Sequence, residues 1–353
     1  MRIISRKQSI NLVILLFTFC AVLSILTVLF ASNSAKSTIK NVKNENTFAV
    51  FNQNKAEIRQ IEECVANGKN ALTGEVLIES SSRRVLWGKN ENARLYPAST
   101  TKVLTALCVL NNLPLDRVVE VPKCAEGVEG SSIYLKAGQK ITVEDLLYGL
   151  MLRSGNDAAV TLAVETSGSI EGFATLMNAT ANECGAKNSN FVNPHGLQDK
   201  NHYTTAYDLA LITAKAYEND GFVRIVSSKL KKITIDDALV VIANKNKMLK
   251  LYDGANGVKT GFTKSSGRCL VSGAKRDGMQ LVSVVLNCGD MWNESVRLLD
   301  FGFDNFEMTS IENALLSNGK TILSAHFDSP VKSNWQVNRY PLKRDGSEKL
   351  VVG

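Results

Sequence analysis

Apolar and polar positions divide this chain into three regimes. Residues 10–31 are almost continuously apolar, broken by Asn11, Thr18, Ser24 and Thr27, and Arg2, Arg6 and Lys7 precede them. A basic start and such a run predict an export signal or an uncleaved membrane anchor over residues 1–34. Residues 35–55 are rich in Asn, Lys and Ser and predict a linker. Ile58, Ile61 and Val65 then recur at helical spacing, ahead of Gly68 and Gly74.

Residues 75–78 and 85–87, on either side of Ser80-Ser81-Ser82-Arg83-Arg84, predict a hairpin. It leads into a helix that starts near Ser99, with Pro97 at its mouth and Val103, Leu104, Leu107 and Leu110 at helical spacing. Residues 104–255 read as mainly helical. Segments 143–152, 157–164, 171–184 and 205–218 carry the pattern, and Tyr207, Leu211, Ala214 and Tyr217 form the stripe of the last.

From Gly257 the period returns to two. Residues 257–263, 268–274 and 280–287 predict strands, the last two joined by an Asp277-Gly278 turn. Residues 291–303 close with a helix striped by Trp292, Val296, Leu299 and Phe303. Strands, a large helical insertion, strands and a helix predict an α/β (α+β) fold. One antiparallel sheet should be flanked by helices over residues 56–305. Residues 306–353 predict a short, β-rich C-terminal extension, with weak strand signals at Ile322, Phe327 and Val331.

Composition narrows the partners. The chain has 353 residues and a net charge of +7, or about +4 (7 minus 3) without Arg2, Arg6 and Lys7. That balance, without an arginine-rich run interleaved with aromatics, argues against nucleic acid. The seven cysteines form no C-x-x-C pair, and none of the three histidines lies near one at ligand spacing. No metal and no cofactor are expected. The cysteines read as buried small apolar residues, with Cys269 and Cys288 kept as one candidate disulfide across a hairpin.

Three short motifs carry chemistry. Ser99-Thr100-Thr101-Lys102 puts a hydroxyl and an amine one helical turn apart. A lysine buried among apolar residues or beside a second cation loses its proton and can serve as the serine's base. Ser154-Gly155-Asn156 follows a helix end, where a tight turn can aim a proton-relaying hydroxyl and a carbonyl-holding amide into a cleft. Lys259-Thr260-Gly261 reads as a strand whose glycine lets a ligand backbone approach. The N–H groups of Ser99 and Phe262 are candidates for an oxyanion hole. Each motif alone is common in structural contexts; the three in this order and context point to a serine acyltransferase.

These motifs, with Tyr96-Pro97-Ala98-Ser99, Asn193-Pro194-His195-Gly196 and Gly257-Val258-Lys259-Thr260-Gly261-Phe262-Thr263, resemble the D-alanyl-D-alanine carboxypeptidases. These are the low-molecular-mass penicillin-binding proteins of bacterial walls, and the resemblance covers about residues 70–305. It implies a β-lactamase/penicillin-binding-protein-like fold. It implies a peptidase that removes the terminal D-alanine of peptidoglycan stem pentapeptides through an acyl-enzyme on Ser99. Ser99, Lys102, Ser154 and Asn156 would be catalytic; Lys259, Thr260, Gly261, Phe262 and Thr263 would bind substrate. β-Lactams would acylate Ser99. The chain would act outside the cytoplasm, on the membrane if residues 10–31 stay uncleaved, or secreted. His195 is expected to be structural, since Lys102 already supplies a base.

Two departures stand out. No arginine lies between Gly289 and Glu294, where family members often hold the substrate carboxylate, so Lys259 and Thr260 are left with that task. The C-terminal β-rich extension that many members carry is expected to be short or incomplete here, without a C-terminal amphipathic anchor, which would leave any anchoring to residues 10–31. Two other readings compete: a class A-like β-lactamase, for which no Glu-x-x-x-Asn stretch follows Ser154, and a non-catalytic penicillin-binding sensor or wall protein.

Overall fold

Val76, Leu77 and Ile78 are all fully buried, yet they serve two different cores. They lie on β1 (Gly74–Glu79), inside a five-stranded antiparallel sheet with β2 (Val85–Lys89), β7 (Ala255–Thr263), β8 (Gly267–Arg276) and β9 (Met279–Leu286), in the order β2-β1-β9-β8-β7. Strand alternation sends Val76 and Ile78 to one face and Leu77 to the other. A strand buried on both faces reads as a continuous apolar run, which is what residues 76–78 show. The computed structural model describes residues 72–310 and 339–346, all within one compact unit.

The elements follow in order. β2 (Val85–Lys89) completes the first hairpin. A 3-10 turn, Ala98–Thr101, opens directly into α1 (Lys102–Asn112), β3 (Val118–Glu120), β4 (Lys140–Thr142) and α2 (Val143–Tyr148). Residues Gly149–Arg153 widen into a π turn ahead of α3 (Asn156–Ser167) and α4 (Ile170–Glu183). Then come α5 (Ala206–Ala216), α6 (Asp220–Ser227), β5 (Leu230–Ile235), β6 (Ala238–Ala243) and α7 (Met248–Leu251). The sheet is finished by β7 (Ala255–Thr263), β8 (Gly267–Arg276) and β9 (Met279–Leu286). α8 (Met291–Asn305), β10 (Phe306–Ser310) and β11 (Arg339–Lys343) follow.

β1 pairs with β9, Val76 opposite Val284, so the first and last strand groups join as the sequence predicts. On one face, Val76, Val271, Val282 and Val284 pack with α1, α3 and α5 in the larger core. On the other, Leu77, Leu270, Leu281 and Val285 pack with Leu298, Leu299 and Phe303 of α8. Residues 102–109 of α1 are all buried. A helix enclosed on every side is what places a lysine, Lys102, wholly inside the protein.

Two expectations need correction. Residues 104–255 are not simply helical: β3, β4, β5 and β6 form a second antiparallel sheet in that order. β3 and β4 have three residues each, too few for a period to emerge, and the β5–β6 hairpin turns on Asp236-Asp237, not on a glycine. Asp236 takes the left-handed conformation the turn requires, with φ 51°. Cys269 and Cys288 are both free. Cys269 belongs to the larger core and Cys288 to the smaller, on opposite faces of the sheet, so they are not bridged. The run at residues 10–31, the helix signal at 58–65 and the strand signals at Ile322, Phe327 and Val331 lie outside the described residues.

Candidate active site

Ser99 sits in the 3-10 turn, half-buried between buried neighbours Ala98 and Thr100. Strand β7 passes so close to this turn that a Cβ on Gly261 would lie 3.1 Å from Pro97 O, Ser99 N and Thr100 N. On the other side the Asn193–Gly196 turn passes beneath. Gly196, at φ 86°, has room for no side chain: a Cβ there would lie 1.8 Å from Ala98 O. Thr105 Oγ1 donates to Pro194 O at 2.6 Å and fastens that turn to α1.

Lys102 Nζ lies 3.0 Å from Ser99 Oγ, 2.7 Å from Asn156 Oδ1 and 2.7 Å from His195 O. Asn156 Oδ1 and His195 O can only accept, so two amine hydrogens go to them. As a neutral amine, Lys102 then has its lone pair free for the Ser99 hydroxyl. Its pKa is held well below the usual lysine value by burial first, then by the charges of Lys259 and Lys245, while Asp157 opposes them. Burying an unpaired ammonium costs several kcal/mol, and shedding the proton avoids that cost.

Ser154 ends the π turn with φ 67°, a left-handed conformation that a serine holds only under constraint. Asn156 opens α3; its N–H donates to Ser131 O at 2.7 Å and its Nδ2 to Glu129 O at 2.5 Å. The loop it grips is anchored by Asp157, which is 1% exposed. Its carboxylate accepts from Ser132 Oγ and from the N–H groups of Ile133, Leu135 and Ala158. Asp157 thus fixes the wall opposite β7.

Lys259 is 2% exposed and donates to Thr260 O at 2.8 Å. Burial, then the charge of Lys245, lowers its pKa to about 7. Lys245 follows β6; its N–H donates to Leu152 O, and its Nζ reaches Ser131 Oγ at 3.4 Å. Its own pKa is lowered by burial and then by Arg153. Arg153 thus lowers the proton affinity of Lys245, Lys245 that of Lys259 and Lys102, and Lys259 that of Lys102, a chain of cations that ends on the neutral amine beside Ser99.

The structure brings Ser99, Lys102, Asn156 and Gly261 together directly, with Ser154 at the turn leading into Asn156. Phe262 points outward, 64% exposed, and the Thr263 hydroxyl is bonded to Ser266 Oγ within its own turn. His195 is buried, its Nδ1 accepts from Leu197 N–H, and burial, then Lys102 and His202, push its pKa down to about 3. It serves Lys102 through its backbone carbonyl. His202 is likewise held neutral, by burial and then Lys102, and bonds Thr101 Oγ1 at 2.8 Å. The two arginines that flank the stretch from Gly289 to Glu294, Arg268 and Arg297, do not join the group of cations. Arg297 stacks on Trp87 and pairs with Glu294 and Glu75, and Arg268 donates to Gly289 O.

Sequence reasoning missed Lys245, Ser131 and the anchoring role of Asp157. Lys245 lies in a run of lysines with no motif around it; Asp157, next to Asn156, was the one residue with a positional signal.

The family model for D-alanyl-D-alanine carboxypeptidase matches residues 65–289. The D-alanyl-D-alanine carboxypeptidase DacF of Bacillus subtilis (strain 168) is 34% identical over 272 residues, covering 74% of this chain and 68% of that protein. DacC of Escherichia coli (strain K12) is 36% identical over 247 residues, covering 66% of this chain and 61% of that one. The chain thus matches about two thirds of the length of these relatives. A solved variant of the Streptomyces K15 DD-transpeptidase superposes with a TM-score of 0.61 at 32% identity, covering 65% of this chain and 97% of that one.

Proposed function

Since the chain belongs to the D-alanyl-D-alanine carboxypeptidase family of serine peptidases and has its β-lactamase/penicillin-binding-protein-like fold, we propose that it removes the terminal D-alanine from peptidoglycan stem pentapeptides. The observation that carries this reading is Ser99 Oγ, 3.0 Å from a wholly buried Lys102 Nζ.

In this reading neutral Lys102 takes the Ser99 proton as Oγ attacks the carbonyl of the penultimate residue. The N–H groups of Ser99 and Phe262 hold the oxyanion. Ser154 relays a proton toward the departing D-alanine amine, with Lys259 as its neighbouring cation, and Asn156 holds the substrate amide and Lys102. Water then releases the acyl group. Thr260, Gly261 and Thr263 line the strand along which the peptide lies, and the free carboxylate of the substrate meets Lys259, Thr260 and the charge of Lys245. β-Lactams acylate the same Ser99. Asp157 does not supply the water-activating carboxylate of a class A-like β-lactamase, because its oxygens are already bonded to the loop. The protein acts outside the cytoplasm, and residues 1–34 direct it there as signal or anchor. Among the described residues no helix is long and apolar enough to cross a membrane.

The test is covalent labelling. Ser99→Ala should abolish acylation by a fluorescent penicillin while the unfolding transition stays in place. Labelling that survives in the folded variant would overturn the assignment. Mass spectrometry of products from a pentapeptide, with and without an acceptor amine, separates carboxypeptidation from transpeptidation.

A further inference from the structure

Tyr134 is a bulky residue in the left-handed region, at φ 65°, and it is 82% exposed. That conformation is costly for any residue with a Cβ and persists only where the surroundings impose it. Here Asp157 imposes it. Its carboxylate accepts from the N–H groups on either side, Ile133 at 3.1 Å and Leu135 at 3.0 Å, and from Ser132 Oγ. Ser132 Oγ in turn accepts from the Tyr134 N–H at 2.7 Å. Ile133 turns inward against Gly149 and Leu135 is buried, so of these three only Tyr134 turns outward. Among the described residues its hydroxyl has no hydrogen bond and its ring no stacking partner. A ring held rigidly against a conformational cost, and touching nothing in the free protein, is placed for a contact that a ligand brings.

The wall that carries Tyr134 borders the reactive groups. Asn156 grips it twice, its N–H on Ser131 O and its Nδ2 on Glu129 O. Tyr134 is three residues beyond Ser131, about 10 Å at full extension. A substrate whose amide is held by Asn156 starts its next side chain within that reach. The sugar end of a stem lies at least two residues further along the peptide, another ~7 Å. The charges on the wall select no sign. Glu129, exposed and without an ion-pair partner among the described residues, stands on one side of Ser131, and Lys245 Nζ reaches Ser131 Oγ at 3.4 Å. What Tyr134 adds is a rigid ring face. Such a face suits the methylene stem of a long, unbranched side chain whose polar head stays in water.

We propose that Tyr134 is a specificity-determining residue, whose ring packs against a long, unbranched side chain on the residue that precedes D-alanyl-D-alanine in the substrate. The inference rests on the peptidase reading above. Because Asp157 already fixes the backbone on both sides of the ring, binding has little loop to order. Asn156 and Asp157 are adjacent, so the first two residues of α3 set both the group that holds the substrate amide and the wall that meets the next side chain.

Steady-state kinetics of the full chain in detergent micelles tests it, on two tripeptides with no charge on the first side chain: Nα,Nε-diacetyl-L-lysyl-D-alanyl-D-alanine and N-acetyl-L-alanyl-D-alanyl-D-alanine. The ratio of their kcat/KM values isolates the long side chain. Tyr134→Gly removes the ring and accepts the positive φ, so its unfolding transition should stay in place or rise. It should lower the ratio about fivefold, the size expected when one or two methylenes lose an apolar contact. Tyr134→Phe keeps the ring face and should keep the ratio. Equal losses on both tripeptides, or an unmoved ratio in folded Tyr134→Gly, would overturn the inference and leave the peptidase reading standing. A lowered unfolding transition in Tyr134→Gly would mean that the ring packs on the body of the protein, which also overturns it. If the wild type cleaves neither tripeptide, the peptidase reading fails first and the inference fails with it.

Discussion

Gly261→Ala perturbs the closest contact in the site by one methyl group. Its Cβ would lie 3.1 Å from Pro97 O, Ser99 N and Thr100 N, where ordinary contact begins at 3.4 Å. All three neighbours are backbone atoms of the turn that carries the nucleophile, so no side chain can swing aside. Strand and turn must part by a few tenths of an ångström. A misplacement of about 1 Å costs on the order of a hundredfold in rate, so a shift of a third to a half of that should cost about tenfold. The overpacking should also cost about 1–3 kcal/mol of stability. The assay is the second-order rate of acylation by a fluorescent penicillin, with Gly289→Ala as control, since a Cβ on Gly289 meets nothing within 4 Å. Acylation of Gly261→Ala at the wild-type rate, with the fold intact, would refute the claim that strand and turn are in rigid register.

Three further outcomes are expected. Lys102→Arg, which cannot be deprotonated, should abolish acylation about as completely as Ser99→Ala; near-normal acylation would mean another base acts. Lys259→Ala should lower kcat/KM for a D-Ala-D-Ala peptide acid about a hundredfold and for the matching amide much less, and equal losses would assign Lys259 to the chemistry at Ser99 instead. His195 and His202 are neutral when folded, with pKa values near 3 against 6.5 for a free histidine, so the unfolded chain binds more protons between those limits. Stability should therefore fall as pH drops below 6.5, by up to about 1.4 kcal/mol per pH unit per histidine. Chemical denaturation of wild type and His202→Gln across pH 4–7 checks this, and an unchanged slope in the variant would count against it.

The residues that were legible in the sequence share one property: local spacing set their surroundings. The continuous apolar run at residues 76–78, the Pro97-led helix and the Lys259-Thr260-Gly261 strand each announce their own context, and the structure puts them where their period demands. Lys245 could not be found that way, because its depressed pKa comes from partial burial and then from Arg153, surroundings made only after folding. The second sheet was missed for a related reason. Three-residue strands have no measurable period, and β5 and β6 expose apolar residues on the side where a pattern reader expects polar ones. The disulfide suggestion failed because proximity in sequence does not reveal which face of a sheet a side chain takes.

The Ser99 environment is collected from four distant stretches: its own turn, Asn156, the His195 carbonyl and Gly261. None of these pairs survives if the sheet and the enclosed helix α1 separate. A labelled serine is therefore a census of native molecules. Denaturant titrations read by penicillin labelling should track global unfolding, and the labelled fraction in a preparation reports how much of it has folded.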